Sequence, residues 1–550
     1  MEVSTPHLLS FVALHATERP GRIALGYWRP GGRIALLTYR DLYSLTLGMV
    51  RALEPWAARQ EMIPILMGRN PIAVAAMLAA TALDRPFCFI NPRYRAPQID
   101  FVLRATQSQW CLVDAYGSSA LRDSAETFGL SGVTWLCLKC PREDIGESEP
   151  RFVSFQPLEV IPEAVGRTAQ ATAPWVRPRP DVTGAVLFTS GSTGRPKGVR
   201  VSQADLVQRA LVELQWFNLS AEDSLLGVLP FSFDVGLNQL CSALVAGAEL
   251  VLLDSWLPKD ILTAVQQRAI SGISAVPTLW HDFLASGLRM ERSKLQRVLR
   301  YVTVSGGSLP RQHLERLEQV LEGTGIFKTY GQTEAFRTAS LRPEYLETKP
   351  DSVGQAYPEV CLYVVDEHGR RCRPGQLGEV VHTGLGTMLG YLGEDACQDE
   401  RKLRRNPYLG VEDPAPRAVF TGDIGWLDED GFLYLKGRQD EMIKVRGNRV
   451  YPQEVVQQLL ALPAIVEAAV VGKATGNGDH VLVAFVVRRD PELQPAAIRR
   501  WLNQRLPAYM VPERIVFVRH LPRGPSGKTD VQRLLGDYLE GLLPEERPCP

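Results

Sequence analysis

The chain has 550 residues, of which 45% are hydrophobic and 22% charged, and its 61 lysines and arginines balance 61 aspartates and glutamates. That length predicts two or more domains, and the composition is typical of a well-packed globular protein. Proteins that bind nucleic acids usually carry a basic excess, so we expect no nucleic-acid partner.

Strands and helices alternate in the first part of the chain. Apolar runs predict strands at 62–67, 110–114 and 182–188, and residues 72–83 predict a buried helix. That helix is the longest apolar stretch and is too short to cross a bilayer, so we expect no membrane partner. The alternation predicts an α/β fold with layers of parallel sheet covered by helices on both faces.

The same alternation continues with predicted strands at 225–229, 249–253 and 301–304. Past Pro358 the predicted strands become shorter and are separated by turn residues, which indicates a small β-barrel. The last hundred residues predict a compact α+β unit.

The nine cysteines are scattered, and only Cys137 and Cys140 lie close together. Neither a second cysteine pair nor a histidine cluster completes a zinc site, and the N-terminus has no charged-then-apolar signal layout. We therefore expect a cytoplasmic protein whose thiols stay reduced.

The most informative segment is a glycine- and hydroxyl-rich run that follows a predicted buried strand, which linkers rarely do. Glycine lets backbone N–H groups approach phosphate oxygens, and hydroxyls and a lysine can donate to the same anion. The run does not match the Walker sequence, because Pro196 and Lys197 stand where that pattern fails. The segment predicts a phosphate-binding loop formed by Thr189, Ser190, Gly191, Ser192, Thr193, Gly194 and Lys197.

Further motifs follow this loop, and the whole set in this order resembles the adenylate-forming superfamily. That family includes acyl-CoA and aryl-CoA synthetases, firefly luciferase and the adenylation domains of nonribosomal peptide synthetases. The motifs are Ser305-Gly-Gly-Ser308, Tyr330-Gly-Gln-Thr-Glu334, Thr421-Gly-Asp423, Gly437-Arg-Gln-Asp440 with residues 443–449, and Pro525-Ser-Gly-Lys528. Gln203, Phe420 and Ser526 depart from what many members carry, without removing a charge that the chemistry needs.

The resemblance implies that these motifs bind ATP and Mg²⁺. Lys528, Glu334 and Thr333 would be catalytic: the lysine bridges carboxylate and phosphate, Glu334 holds the metal, and Thr333 contacts the α-phosphate. Tyr330 would stack on adenine, and Asp423 would accept both ribose hydroxyls. The remaining residues implied in nucleotide binding are Gly306, Gly307, Ser308, Gly331, Arg438 and Lys444.

The resemblance also implies two domains and two half-reactions. An ATP- and substrate-binding domain, 1–439, would be followed by a mobile lid, 440–550, with Asp440 as the hinge. The substrate carboxylate would first attack the α-phosphate, giving an acyl-adenylate and pyrophosphate. A phosphopantetheine thiol would then attack the adenylate, after the lid has swung and withdrawn Lys528.

The substrate pocket of the family lies between the two central motifs. Asp234 matches the aspartate that binds the ammonium group in amino-acid-activating members, although it could instead bond to local backbone or to an arginine. Arg337 could form a two-pronged bond with a second substrate carboxylate, or neutralise Asp234 and leave an uncharged acyl pocket. The other implied pocket residues are Val235, Asn238, Val304, Thr329 and Thr338.

The leading hypothesis is a ligase that loads an amino acid, with acidic and β-amino acids among the candidates, onto a separate carrier protein. The 22 residues after Lys528, 529–550, are too few to form a fused carrier domain. The alternative is an acyl-CoA synthetase that uses free coenzyme A. Nothing indicates a luciferase-like oxidative enzyme. A non-catalytic nucleotide sensor is disfavoured because Lys528, Glu334 and Asp423 are all present.

Overall fold

The computed structural model of the chain describes residues 7–29, 33–58, 60–114, 133–138, 152–155, 178–190, 196–288, 299–307, 309–321, 323–393, 399–410, 413–445, 448–475, 480–524 and 529–541. Within these ranges, no helix has both the length and the hydropathy needed to cross a bilayer. Six of the predicted site residues lie outside the described ranges: Gly191, Ser192, Thr193, Gly194, Ser308 and Lys528.

The first sixteen described strands belong to two large sheets. In chain order they are β1 (Ile23–Arg29), β2 (Arg33–Thr38), β3 (Ile63–Leu66), β4 (Phe87–Phe89), β5 (Trp110–Val113), β6 (Thr134–Leu138), β7 (Phe152–Phe155), β8 (Thr183–Ser190), β9 (Pro196–Ser202), β10 (Ser224–Gly227), β11 (Glu249–Leu252), β12 (Gly272–Ala275), β13 (Tyr301–Ser305), β14 (Gly325–Gln332), β15 (Ala335–Leu341) and β16 (Gln355–Ala356). The strands predicted from apolar runs are confirmed at these positions.

The helices that accompany these sheets are α1 (Leu8–Glu18), α2 (Tyr39–Ala57), α3 (Pro71–Ala82), α4 (Ala96–Ala105), α5 (Gln203–Trp216), α6 (Asp234–Ala246), α7 (Pro258–Arg268), α8 (Pro277–Ala285) and α9 (Arg311–Val320). Helix α3 is the buried helix that the sequence predicted, and the Asn70 side chain caps it by accepting from the backbone N–H groups of Ile72 and Ala73. Helix α6 ends at Gly247, whose φ of 73° suits glycine.

The first sheet has the order β16-β15-β14-β13-β12-β10-β11-β1-β2, and the second runs β9-β8-β4-β3-β5-β6-β7. Both are parallel in the centre, as predicted, and become antiparallel where short connections join neighbouring strands, as in the β8–β9 hairpin. Buried residues of α1, α2, α3, α5 and α6 form one hydrophobic core with residues from both sheets. The two sheets are therefore layered around these helices.

A third sheet follows, made of β17 (Val360–Val365), β18 (Gly378–Gly384), β20 (Leu403–Arg405), β21 (Arg417–Leu427) and β22 (Leu433–Arg438). The short strand β19 (Gly390–Tyr391) lies between β18 and β20 in the chain but pairs with β9 of the second sheet. Helix α10 spans Asp399–Lys402. The strands are antiparallel. Among the described strands, however, the sheet does not close into the predicted barrel, because β20 and β22 both pair with the same edge of the long β21.

The C-terminal unit is smaller and α+β, as predicted. Its elements are β23 (Ile443–Val445), β24 (Asn448–Val450), α11 (Pro452–Leu460), β25 (Ile465–Ala474), β26 (His480–Arg488), α12 (Pro495–Asn503), β27 (Arg514–Phe517) and α13 (Val531–Leu539). It contacts the larger domain at α8 and α9. Gln312 donates to the Leu460 carbonyl at 2.7 Å, and His281 Nδ1 lies 3.8 Å from Glu467 Oε1.

Candidate active site

A cavity opens where the carboxyl ends of the parallel strands β13 and β14 meet the N-terminus of α6. This edge of a parallel sheet is where α/β proteins usually bind their ligands. The space amounts to about 420 Å³, including the part open to solvent. Its lining residues are Phe233, Asp234, Val235, Ser305, Gly306, Thr329, Tyr330, Gly331, Gln332, Thr333, Phe336 and Arg337.

The lining brings two predicted sets of residues together. From the predicted substrate set it includes Asp234, Val235, Thr329 and Arg337, and from the predicted nucleotide set it includes Gly306, Tyr330, Gly331 and Thr333. The other predicted substrate residues, Asn238, Val304 and Thr338, are buried but are not among the lining residues. One cavity therefore joins the two predicted sites.

Asp423 is not among the lining residues, but two residues of β14 that line the cavity hold it. The Tyr330 hydroxyl and the Gln332 amide both donate to Asp423 Oδ2, and Gln332 also donates to the Thr421 carbonyl at 3.0 Å. Burial and the Asp423 charge raise the pKa of Tyr330 well above its usual value, so the phenol stays protonated as a donor. Sequence reasoning missed Gln332, although it lies inside the quoted Tyr330–Glu334 motif.

Arg438 connects Asp423 to the predicted hinge. Its Nη1 lies 3.7 Å from Asp423 Oδ1, while its Nε and Nη2 bond to Asp440 at 2.8 and 3.2 Å. Burial acts to lower the pKa of Arg438, but the bonds to Asp440 and the charge of Asp423 outweigh it, and the pKa is raised. One guanidinium thus bridges the predicted ribose carboxylate and the predicted hinge carboxylate.

Glu334 is buried beside a second cation. The Tyr391 hydroxyl donates to Glu334 Oε1 at 2.8 Å, and Lys402 Nζ lies 3.9 Å from the same oxygen. Burial lowers the pKa of Lys402, an effect that the Glu334 charge partly offsets. Lys197 of the predicted phosphate loop lies over the Tyr391 ring, 5.5 Å from its centre. Sequence reasoning missed both Tyr391 and Lys402, because neither lies in a recognisable motif.

The metal ligands available around Glu334 suit Mg²⁺ better than a metal ion that is bound by protein side chains alone. Within the described part of the chain, no three His, Cys, Asp or Glu side chains gather into a metal site. Mg²⁺ is usually bound through one or two carboxylates together with substrate phosphates and water. A single buried carboxylate beside the cavity therefore fits this ion.

The predicted phosphate loop is flanked by β8 and β9. These strands pair Thr189 with Lys197 and Ser190 with Pro196, and residues 191–195 between them lie outside the described residues. Gln203, one of the departures from the family pattern, donates to Asp84 at 2.6 Å and begins α5. It links α5 to the end of α3 and is not among the residues that line the cavity.

Arg337 forms a buried ion pair with Glu213 of α5. Its Nη2 and Nε lie 2.8 and 3.0 Å from Glu213 Oε1, and both side chains are only 4% exposed. Burial disfavours the guanidinium charge, but the Glu213 carboxylate outweighs it and raises the pKa of Arg337. The sequence left two partners open for this arginine, a second substrate carboxylate or Asp234. The structure pairs it with Glu213, which was neither of them, and Asp234 acts on it only as a weaker electrostatic neighbour.

The backbone at Arg337 is unusual for a non-glycine residue, with a φ of 55°. Gly331 makes room for it, since a Cβ atom at that position would lie 2.5 Å from the Arg337 nitrogen. Such conformations persist only where the surrounding structure holds them, and they concentrate at functional sites.

Asp234 is the first residue of α6, where a carboxylate is stabilised by the helix dipole. Its Oδ1 accepts from the Val235 backbone N–H at 2.7 Å, and the residue is 9% exposed. The bond to local backbone that the sequence left open is therefore present, and the carboxylate also lines the cavity.

The structure describes the residues on both sides of the loop that carries Lys528, up to residue 524 and from residue 529 onward. Arg523 and Thr529 form an isolated bridge, and Arg523 Nη2 bonds to Glu467 at 2.9 Å. Glu467 faces His281 of α8, and the first residue of α8, Pro277, packs against Gly307. The base of the loop thus lies against a helix that begins beside the cavity. The predicted residue Lys444 is exposed on β23 and is not among the lining residues.

The sequence matches a known family over most of its length. Residues 12–392 match the AMP-binding enzyme family, and residues 454–528 match the AMP-binding enzyme C-terminal domain. The chain belongs to the AMP-binding enzyme family. This AMP-binding enzyme is an adenylate-forming ligase of the type that includes acyl-CoA synthetases and the adenylation domains of peptide synthetases.

Three relatives illustrate the range of this family. A dimodular nonribosomal peptide synthase of Bacillus subtilis is 30% identical over 91% of this chain, which spans only 20% of the synthase. Indoleacetate–CoA ligase of Aromatoleum aromaticum is 28% identical over 96% of this chain and 98% of its own. The solved O-succinylbenzoate coenzyme A synthetase of Bacillus subtilis, in complex with ATP and magnesium ion, matches with a TM-score of 0.76 and 24% identity, covering 96% of this chain and 99% of that one.

Proposed function

We propose that this enzyme activates an amino acid with ATP and Mg²⁺ and then transfers it to the phosphopantetheine thiol of a separate carrier protein. The observation that carries the proposal is the single cavity lined by both Asp234 and Thr333. An amino acid whose ammonium group pairs with Asp234 would have its carboxylate directed toward the nucleotide end. Two reactants held in one cavity gain most of the advantage that orientation gives a reaction between them.

The placement of Asp234 supports an amino acid over a plain acyl acid. Its carboxylate lines the cavity at the N-terminus of α6, where a substrate ammonium group could form a charge-assisted hydrogen bond with it. An acidic amino acid is disfavoured, because Arg337 already pairs with Glu213.

In the proposed first half-reaction, Asp423 binds the ribose and the Thr189–Lys197 loop binds the departing pyrophosphate. Thr333 would contact the α-phosphate, Lys528 would bridge that phosphate and the attacking carboxylate, and Glu334 would hold Mg²⁺, which would supply positive charge to the phosphates. The lid domain, 440–550, then turns about Asp440 for the attack of the thiol. The Arg438 bridge between Asp423 and Asp440 supports this hinge, since it ties the position of the lid to the ribose carboxylate.

The second candidate is an acyl-CoA synthetase that uses free coenzyme A. The observation that favours it is the match with indoleacetate–CoA ligase over nearly the full length of both chains. The two candidates differ both in the acid that is activated and in the thiol that accepts it.

The test is ATP–pyrophosphate exchange over α-amino, β-amino, fatty and aryl acids. Product analysis follows, with either coenzyme A or a phosphopantetheinylated carrier protein as the acceptor. We expect amino acids to support exchange and the carrier to become loaded. Exchange with fatty or aryl acids alone, followed by thioester formation on coenzyme A, would establish the second candidate instead.

A further inference from the structure

The lid domain touches the larger domain through polar side chains that the proposed chemistry does not use. On α9, the Gln312 amide donates to the carbonyl of Leu460, the last residue of α11, at 2.7 Å. On α8, His281 Nδ1 lies 3.8 Å from Glu467 Oε1 of β25. Besides the chain connection at Asp440, the two domains are therefore joined by a hydrogen bond and by a contact between an imidazole and a carboxylate.

Glu467 connects this domain contact to the base of the loop that carries Lys528. Its Oε1, the oxygen that faces His281, accepts from Arg523 Nη2 at 2.9 Å. The two side chains are only 18% and 26% exposed, so this charge-assisted bond is partly shielded from water. Arg523 also forms an antiparallel bridge with Thr529, so the residues before and after the loop are held together. One carboxylate oxygen thus lies between a guanidinium of the lid and an imidazole of the larger domain.

His281 is fixed in place by its neighbours in the larger domain. Its Nδ1 lies 3.2 Å from Asp282 Oδ1, and its ring meets the ring of the buried His313 edge-on, with 5.1 Å between the ring centres. The carboxylates of Asp282 and Glu467 face the same ring nitrogen, so a proton on Nδ1 stabilises both. His281 therefore offers Glu467 a donor whose position is already set.

The place of this contact suits the adenylation step. Helix α8 begins at Pro277, which packs against Gly307 beside the cavity. The residues that flank Lys528 therefore lie against a helix that starts at the nucleotide end of the cavity. In the proposed second half-reaction the lid turns about Asp440 and withdraws the lysine, and such a turn would break the contact with α8.

We propose that Glu467, Arg523 and His281 are positioning residues for the adenylation step. Glu467 docks the lid on His281 and, through Arg523, holds the base of the Lys528 loop in that position. The docked position competes with the turned position of the lid, so the strength of this contact sets how the enzyme divides between the two half-reactions. This inference rests on the proposed function, because it requires the lid to turn about Asp440.

The test measures the two half-reactions separately in the full-length enzyme. ATP–pyrophosphate exchange reports adenylation, and transfer from a supplied acyl-adenylate to pantetheine reports attack by the thiol. We expect His281→Ala to lower kcat for exchange about threefold, as the loss of a partly exposed ion pair would. Glu467→Gln should lower it about tenfold, because the bond to Arg523 is weakened as well. Transfer to pantetheine should be unchanged or faster in both variants.

Further measurements separate positioning from a general loss of structure. The KM values for ATP and for the acid should change little in these variants, since the residues that line the cavity all belong to the larger domain. If His281 and Glu467 act through one contact, the double variant should lose little more than Glu467→Gln alone. Glu315→Gln is the control, because it breaks an exposed ion pair with Arg311 on α9. Thermal unfolding checks that each variant is folded.

Equal losses in both half-reactions would overturn the inference, because a positioning role in adenylation predicts a loss in exchange alone. Unchanged exchange in both His281→Ala and Glu467→Gln would overturn it as well, and would leave the proposed function standing. If the wild type exchanges only with acids that lack an amino group, the proposed substrate fails. That result is distinct, since the same variants are then compared with the acid that does support exchange.

Discussion

The two ends of the cavity differ in how their residues are assembled. At the nucleotide end, Tyr330 and Gln332 hold Asp423 from a single strand, and each partner lies inside a short motif. At the substrate end, Arg337 depends on Glu213, which lies 124 residues away on α5. The contacts at both ends join residues distant in sequence, 93 positions apart for Tyr330 and Asp423 and 124 for Arg337 and Glu213. The comparison indicates that the two ends differ in their partners: Tyr330 and Asp423 both belong to short motifs, whereas Glu213 belongs to none.

Loss of a single charge should lower activity more at the nucleotide end of the cavity than at the substrate end. We expect Lys528→Ala to lower pyrophosphate exchange by about 10²–10³-fold, because a lysine charge is needed where carboxylate meets phosphate. Thiol attack on a supplied acyl-adenylate should be largely spared. Each half-reaction is measured separately, with the exposed Lys259→Ala variant as the control. Equal losses in both half-reactions would remove this role from Lys528.

A rigid hinge should spare adenylation and impair transfer to the thiol, which is the reverse of the effect expected for Lys528→Ala. Asp440→Pro should leave exchange near normal and lower thioester formation by about tenfold or more, because proline fixes φ and cannot absorb a large rotation. Asp440→Ala removes the bonds to Arg438 without fixing φ, so it should retain transfer. Unimpaired thioester formation by the proline variant would contradict the hinge assignment.

A substitution at the substrate end should change the specificity for the amino acid and leave nucleotide binding intact. Asp234→Asn should lower kcat/KM for an amino acid about ten- to a hundredfold, because a charge-assisted hydrogen bond worth about 1.5–3 kcal/mol is lost. The KM for ATP should change little, since the variant keeps the shape of the side chain. A fall in ATP affinity as large as the fall in amino-acid specificity would show that the two ends are not separable.

The smallest expected effect concerns stability beneath the substrate end. His382 bonds to Thr338 and is fully buried, and burial lowers its pKa to about 3. The folded state therefore binds fewer protons than the unfolded state below pH 6.5, so stability falls as the pH falls. The contribution of His382 to the slope of the free energy of unfolding against pH is about 1.4 kcal/mol per pH unit between pH 5.5 and 4.

Chemical unfolding at several pH values measures this slope. His382→Gln should lower the slope by about 1.4 kcal/mol per pH unit, whereas the exposed His368→Gln should leave it unchanged. His313, with a pKa lowered to about 4 by burial, adds a similar contribution in both variants. An unchanged slope in His382→Gln would mean that this histidine is not the group that titrates.

The layered fold was predictable because apolar strands and amphipathic helices leave local patterns. The alternation of runs predicted the strands of both large sheets, and the apolar stretch 72–83 predicted α3. The described strands of the third sheet do not close into a barrel, and this was not predictable, since closure depends on which edges of β21 are occupied and no local pattern records that choice.

In the site, helical periodicity could have placed Glu213 on the buried face of α5, because it lies three and seven residues after Ala210 and Leu206. Its partner could not be read in the same way. Lys402 and Tyr391 approach Glu334 only through the pairing of β19 with β9 and the placement of α10. Contacts of this kind are made by topology, and a motif cannot record them.

The most direct test of amino-acid adenylation in this cavity compares an amino acid with its des-amino analogue in the wild-type enzyme. Pyrophosphate exchange is measured for both at saturating ATP and Mg²⁺. The account predicts that loss of the amino group lowers kcat/KM about ten- to a hundredfold, because Asp234 then loses a charged partner. Equal exchange with both acids would contradict the account, whatever the variants do.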